Sequence, residues 1–153
     1  MRAVTVFSKQ TAKTQSFDVA PGGVADFDST SIALACKGIP RKYYLCARLY
    51  YLSDSTVLDE VERYLWVSAA ADGHKYKFIR KGEERLRRLC GLAVAEIADP
   101  ARWKNNAQRG EWMGVTERSF GKNYSTAYGD CFNRLAAWVG VAEHHIRENT
   151  REN

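Results

Sequence analysis

The residues best suited to chemistry lie between positions 105 and 126. Arg109, Thr116, Glu117, Arg118, Ser119, Lys122, Asn123 and Ser125 are donors and acceptors of the kinds that meet phosphate oxygens and base edges. From Thr116 onward, Phe120 and Tyr124 recur four apart, so a helix would turn both rings inward and leave Glu117, Arg118, Lys122, Asn123 and Ser125 outside. Side chains of this type at the exposed start of a helix can read a DNA groove.

Such side chains read DNA only if two helices hold them at a fixed angle, and the sequence before them supplies the parts. Gly110 permits a close helix crossing, Gly114 four residues later suits a left-handed turn, Val115 plugs the angle, and Thr116 caps the next helix. The stretch 106–128 therefore predicts a helix-turn-helix. A plain helical hairpin uses the same Gly C-cap and Thr N-cap, and is set apart by lacking the glycine spacing, the apolar plug and the basic face. Two residues depart from the pattern: Trp112 is bulky beside the crossing, and Gly121 lowers helix propensity by roughly 1 kcal/mol relative to Ala.

A second set of cations precedes the motif. Lys75, Lys77, Arg80, Lys81, Arg85, Arg87 and Arg88 stand against Glu83 and Glu84 alone, an excess equal to the whole chain's net charge of +5. This run is a candidate surface for phosphates or a polymerase, or else a solubilising helix face.

The remaining chain reads as helical, giving a mainly α, compact helical domain over 28–153 with a long C-terminal helix. A helix from Ser29 ends at Gly38, and Pro40 opens another over 41–52 whose leucines and paired tyrosines predict core packing. Asp54 or Ser55 caps a third helix, with an acidic face of Asp54, Asp59, Glu60 and Glu62 offset by Arg63 alone. The alternation from His74 to Arg80 suits a short strand or an extended connection. A further helix opens at Glu83-Glu84 and stops at Asp99-Pro100, after which Trp103 pins the connection. Apolar spacing then continues from Phe120 to Ile146, and thirty helical residues would span roughly 45 Å, so a bend at Gly129 or Gly140, or a projecting end, is expected. Residues 1–27 read as a basic, flexible arm that either orders on a partner or remains a loose terminus.

Other chemistries find little footing. Cys36, Cys46, Cys90 and Cys131 are dispersed on apolar faces, without a Cys-x-x-Cys pair, so no metal site is expected and the thiols read as small buried hydrophobes. His144 and His145 are adjacent and point apart, which suits a helix C-terminus better than a shared ion. No P-loop, dinucleotide fingerprint, His-Glu-x-x-His or nucleophile elbow occurs, so no enzyme and no cofactor is expected; carboxylates converging on Mg²⁺ remain open. With no bilayer-length apolar run and no secretory signal, the expected location is cytoplasmic, without membrane contact.

At Gly110-Glu-Trp-Met-Gly-Val-Thr-Glu-Arg-Ser-Phe120, after an arginine-rich helix and before a long Tyr/Trp-bearing one, the chain resembles the Q-type late-gene antitermination factors of temperate phages and their prophage relatives. The likeness covers 29–148 in architecture and 106–128 in readable motif. Since no Cys-x-x-Cys zinc element is present, the compact, zinc-free type is the relevant one. The resemblance implies binding to double-stranded DNA beside a promoter, transfer to paused, sigma-containing RNA polymerase, and read-through of terminators. A conventional repressor or activator at its operator, with a second copy on the DNA, needs the same reading helix. A helical adaptor that binds other proteins through its C-terminal helix is the third reading.

Overall fold

The computed structural model describes residues 29–103 and 105–151; for Lys81 it describes the backbone alone. The basic arm expected over 1–27 lies outside the described residues. Six helices follow one another: α1 (Ser29–Ala35), α2 (Arg41–Leu52), α3 (Leu58–Ala70), α4 (Glu84–Ala98), α5 (Asn106–Met113) and α6. The last opens at Glu117–Ser119, passes through a wide π turn at Phe120–Tyr124 and continues as Ser125–Arg151. The mainly α expectation holds, and no strand occurs among the described residues.

α6 is the axis of the domain because its inward stripe is apolar for most of its length. Phe120, Tyr124, Tyr128, Cys131, Leu135, Trp138 and Val139 are buried with Leu45 and Leu49 of α2, Val61 and Leu65 of α3, and Leu86, Leu89 and Leu92 of α4. Each such side chain removed from water is worth about 1.5–3 kcal/mol, so the stripe, rather than helix propensity, fixes the fold. The paired tyrosines of α2 pack on or into this core as expected.

The far end of α6 neither projects nor breaks. Gly129 and Gly140 both lie inside the uninterrupted stretch Ser125–Arg151, and the departure from α geometry comes earlier, at Phe120–Tyr124. α1 covers the end: Ile32 and Cys36 are buried with Ala47, Ala142 and Ile146, and Asn149 Nδ2 donates to the Ala35 carbonyl at 2.7 Å. His145, expected to serve the helix terminus, instead places Nε2 3.1 Å from the Lys37 carbonyl, pinning α6 to the α1–α2 connection.

The strand or extended piece expected at 74–80 is a pair of 3₁₀ turns, Gly73–Lys75 and Lys77–Lys81. With no neighbouring strand to pair with, its backbone is satisfied locally: Tyr76 N–H donates to Gly73, Ile79 to Tyr76 and Gly82 to Ile79. Alternation in the sequence reflects ring packing instead. Tyr76 and Phe78 stack at 5.5 Å, and Phe78 meets Tyr124 at 5.1 Å.

The acidic face of α3 is also not what the sequence suggests. Arg48 pairs with Asp54 at 2.5 Å, Arg41 with Glu60 at 2.6 Å, and Glu62 is half-buried against α4. Arginines on α2, six and nineteen residues away in sequence, answer Asp54 and Glu60.

Candidate nucleic-acid interface

α5 begins where the Asn105 side chain accepts from the Gln108 N–H at 3.1 Å, and it ends at Gly114, whose φ of +71° is the left-handed conformation a glycine adopts cheaply. Val115 N–H then donates to the Gly110 carbonyl at 2.8 Å, folding the chain back over the helix. A Cβ on Gly110 would stand 2.7 Å from the Val115 carbonyl oxygen, so the close approach requires glycine. Thr116 Oγ1 accepts from Ser119 N–H at 3.1 Å and starts α6. The turn thus has the parts read from the sequence. Trp112, which looked obstructive, avoids the crossing: it lies over Gly91 of α4, donates Nε1–H to the Arg88 carbonyl at 2.9 Å and meets Trp103 edge-on.

The angle between the helices is held from inside by a buried ionic network. Glu96 of α4 is fully buried and accepts from Arg109 Nη2 at 2.7 Å, from Arg109 Nε at 3.2 Å, and from the Tyr128 hydroxyl of α6. The Arg109 guanidinium also stacks 5.0 Å from the Tyr128 ring centre and donates to Asn106. Burial, and secondarily the adjacent Glu96 carboxylate, push the Tyr128 hydroxyl's pKa far up, so it stays a donor. One carboxylate therefore ties α4, α5 and α6 together. Arg109, expected on the DNA, is turned inward here, with Nε and Nη2 on Glu96 and Nη1 on Asn106. Sequence reasoning passed over Glu96, although an acid seven residues after Leu89 and four after Leu92 falls on the buried phase of α4.

On the outer side, Glu117, Arg118, Lys122 and Asn123 are exposed in the first turns of α6. Asn123 makes a long 3.3 Å bond to Ser119 Oγ, and among the described residues no carboxylate lies at ion-pair distance from Arg118 or Lys122. Thr116 and Ser119 are occupied with the cap. Ser125 is a correction: half-buried, it donates Oγ–H to the Gly121 carbonyl at 2.6 Å. That bond belongs to the wide turn, in which Ser125 N–H reaches back to Phe120 and leaves the Gly121 carbonyl needing another donor.

The wide turn has a cause in the sequence. Buried residues 120, 124 and 128 are spaced four and four, and each step of four over-rotates an α-helix by about 40°. One turn of higher residue count takes the drift back and keeps all three rings facing α4 and α5. Gly121, at the centre of that turn, is not a flaw in a recognition helix.

The basic run divides. Phe78 against Tyr124, and the Arg85 guanidinium donating to the Tyr124 hydroxyl, seat the 76–85 segment beside the first turns of α6. Lys77 and Arg80 are exposed there, while Lys75 pairs with Asp130 at 3.5 Å and Arg85 is half-buried. Arg87 and Arg88 are exposed near Trp112, beside α5. The Lys81 side chain lies outside the described residues.

The four thiols are buried, and burial pushes Cys36 up to about 11 and Cys46 up to about 12, so neither is a nucleophile at neutral pH. Contact with Cys131, then burial, does the same to Cys90. Among the described residues no three His, Cys, Asp or Glu side chains converge as a metal would need, and no helix is long and apolar enough to cross a membrane.

The fold is a mainly α domain whose α4, α5 and α6 form a three-helix unit, with α5 and α6 joined by the tight turn at 114–116. Compared with protein-family models, curated proteins and solved structures, the chain matches none.

Proposed function

We propose that this chain is a sequence-specific double-stranded DNA-binding transcription factor of the cytoplasm, not an enzyme, that reads its site with the first turns of α6. The observation that carries the reading is a division of labour on one helix. Its inner face is locked by Glu96, Arg109 and Tyr128, while Glu117, Arg118, Lys122 and Asn123 stand outside, Asn123 with one long bond to Ser119 Oγ and, among the described residues, Arg118 and Lys122 with no carboxylate at ion-pair distance. Lys77 and Arg80 beside that face, with Arg87 and Arg88 by α5, supply phosphate contacts on either side. Arg118→Ala with Lys122→Ala removes site-specific binding and leaves the thermal midpoint in place; an unchanged gel-shift affinity overturns the assignment.

The particular role we propose is the one implied by the resemblance: an antitermination factor that passes from promoter-proximal DNA to sigma-containing RNA polymerase. An operator-bound repressor or activator is the second reading. The pairing of Asp54 and Glu60 with arginines favours it, because two of the four carboxylates that a polymerase contact could have used are already held. Transcription in vitro on a template with a downstream terminator separates them. Read-through that depends on the promoter-proximal site supports antitermination, whereas altered initiation with constant read-through supports the operator reading.

A further inference from the structure

A second surface lies far from the reading turn. Lys42 of α2, Arg63, Tyr64, Val67 and Ser68 of α3, and Trp138 of α6 line an open groove of about 410 Å³. Val67 is 66% exposed, and Val141, one turn beyond Trp138 on α6, is 44% exposed; both are aliphatic side chains that folding left in water. Trp138 sits 15 residues along α6 from Asn123, roughly 20 Å down the helix axis, so DNA held at the first turns does not reach the groove.

We propose that this groove docks an acidic amphipathic segment of a protein partner. The inference goes beyond the DNA-binding reading and does not depend on it. Lys42 holds its ammonium 4.8 Å from the Trp138 ring centre and 5.1 Å from that of Tyr43, and among the described residues neither Lys42 nor Arg63 has a carboxylate at ion-pair distance. The one acid on the rim, Glu60, is already held by both Nε and Nη2 of Arg41. An apolar floor flanked by Lys42 and Arg63, with Glu60 near Arg63 but bonded to Arg41, is complementary to an apolar anchor between carboxylates. Nucleic acid would leave Val67 and Val141 unused. A second copy would bring the same two cations, and residues 1–28 balance three Lys or Arg with three Asp, so neither offers the acidic complement.

The test is a titration of the ¹⁵N-labelled full chain with a designed helical peptide of Leu anchors flanked by Glu, beside its Lys-flanked counterpart. The Glu peptide is expected to shift the amides of Lys42, Arg63, Val67 and Val141 saturably, and the Lys peptide to leave them in place. Lys42→Glu with Arg63→Glu, and separately Val67→Ser, should each weaken Glu-peptide binding roughly tenfold, with the thermal midpoint unchanged. The proposal is overturned by equal responses to both peptides or by no shift at these amides. It is equally overturned by a concentration-dependent dimer that Val67→Ser abolishes, or by nuclear Overhauser contacts between residues 1–28 and Val67 in the free chain.

Discussion

Glu96 and Gly110 show how one position can set a binding geometry without touching a ligand. Removing one member of a buried ion pair costs about 3–5 kcal/mol, because the partner is left charged and unanswered. A domain of this size has about 5–15 kcal/mol in all, so Glu96→Ala is expected to remove a substantial fraction of its stability while leaving it folded at ambient temperature. Arg109 keeps some solvent contact, its side chain being 20% exposed, which places the loss toward the lower figure. Glu96→Gln retains an acceptor for Tyr128 and should cost less; urea titration of the two variants orders them, and equal midpoints would refute the network's role. Arg109 looked like a DNA contact because it is an arginine inside the motif, next to Gly110. Its partner is thirteen residues upstream in sequence, and no local rule connects the two. Ser125 misled for a related reason: the carbonyl it answers exists only because the helix widens.

At the scale of elements, the turn between α5 and α6 was legible almost residue for residue. Its chemistry is local: Gly114 for the left-handed angle, Thr116 for the cap, Gly110 for the contact. The 74–80 connection was not, because alternation of Tyr76 and Phe78 reads alike whether rings pack on Tyr124 or on a partner strand. The start of α3 yields a pH prediction. Asp54 accepts from the Thr56 hydroxyl at 2.6 Å and from Arg48, and these contacts, the Thr56 hydroxyl first, hold its carboxyl below the ordinary range against the opposing effect of burial. A lowered folded-state pKa means that the stabilisation is fully present above the unfolded value of about 3.9 and is lost as pH falls through the folded one. Thermal midpoints measured across that acid range should fall more gently in Asp54→Asn than in the parent chain.

For the whole molecule, the distribution of charge matters more than its sum. Lys77, Arg80, Arg87, Arg88, Arg118 and Lys122 are exposed on or beside the three-helix unit, whereas Arg41, Arg48, Arg109 and Arg134 are each paired with a carboxylate of the same chain. If those six each displace a counterion, DNA affinity falls roughly 10³-fold or more between 50 and 200 mM salt. A flat salt profile in fluorescence anisotropy would remove the phosphate surface from the account. The mainly α class and the length of α6 were readable from spacing alone. That α1 would close over the far end of α6 was not, since a seven-residue helix with one buried isoleucine carries almost no periodic signal.

The wide turn at Phe120–Tyr124 amounts to one surplus residue accommodated without disturbing either end of α6. In an unaltered helix each inserted or deleted residue swings everything before it by about 100° about the axis. Here the wide turn itself carries Lys122 and Asn123 outside and Phe120 and Tyr124 inside, and its extra residue keeps the rings before and after it on one face. Loss of one residue at this point is therefore the change α6 accommodates best, closing the turn to ordinary α pitch with both ends of the helix left where they were.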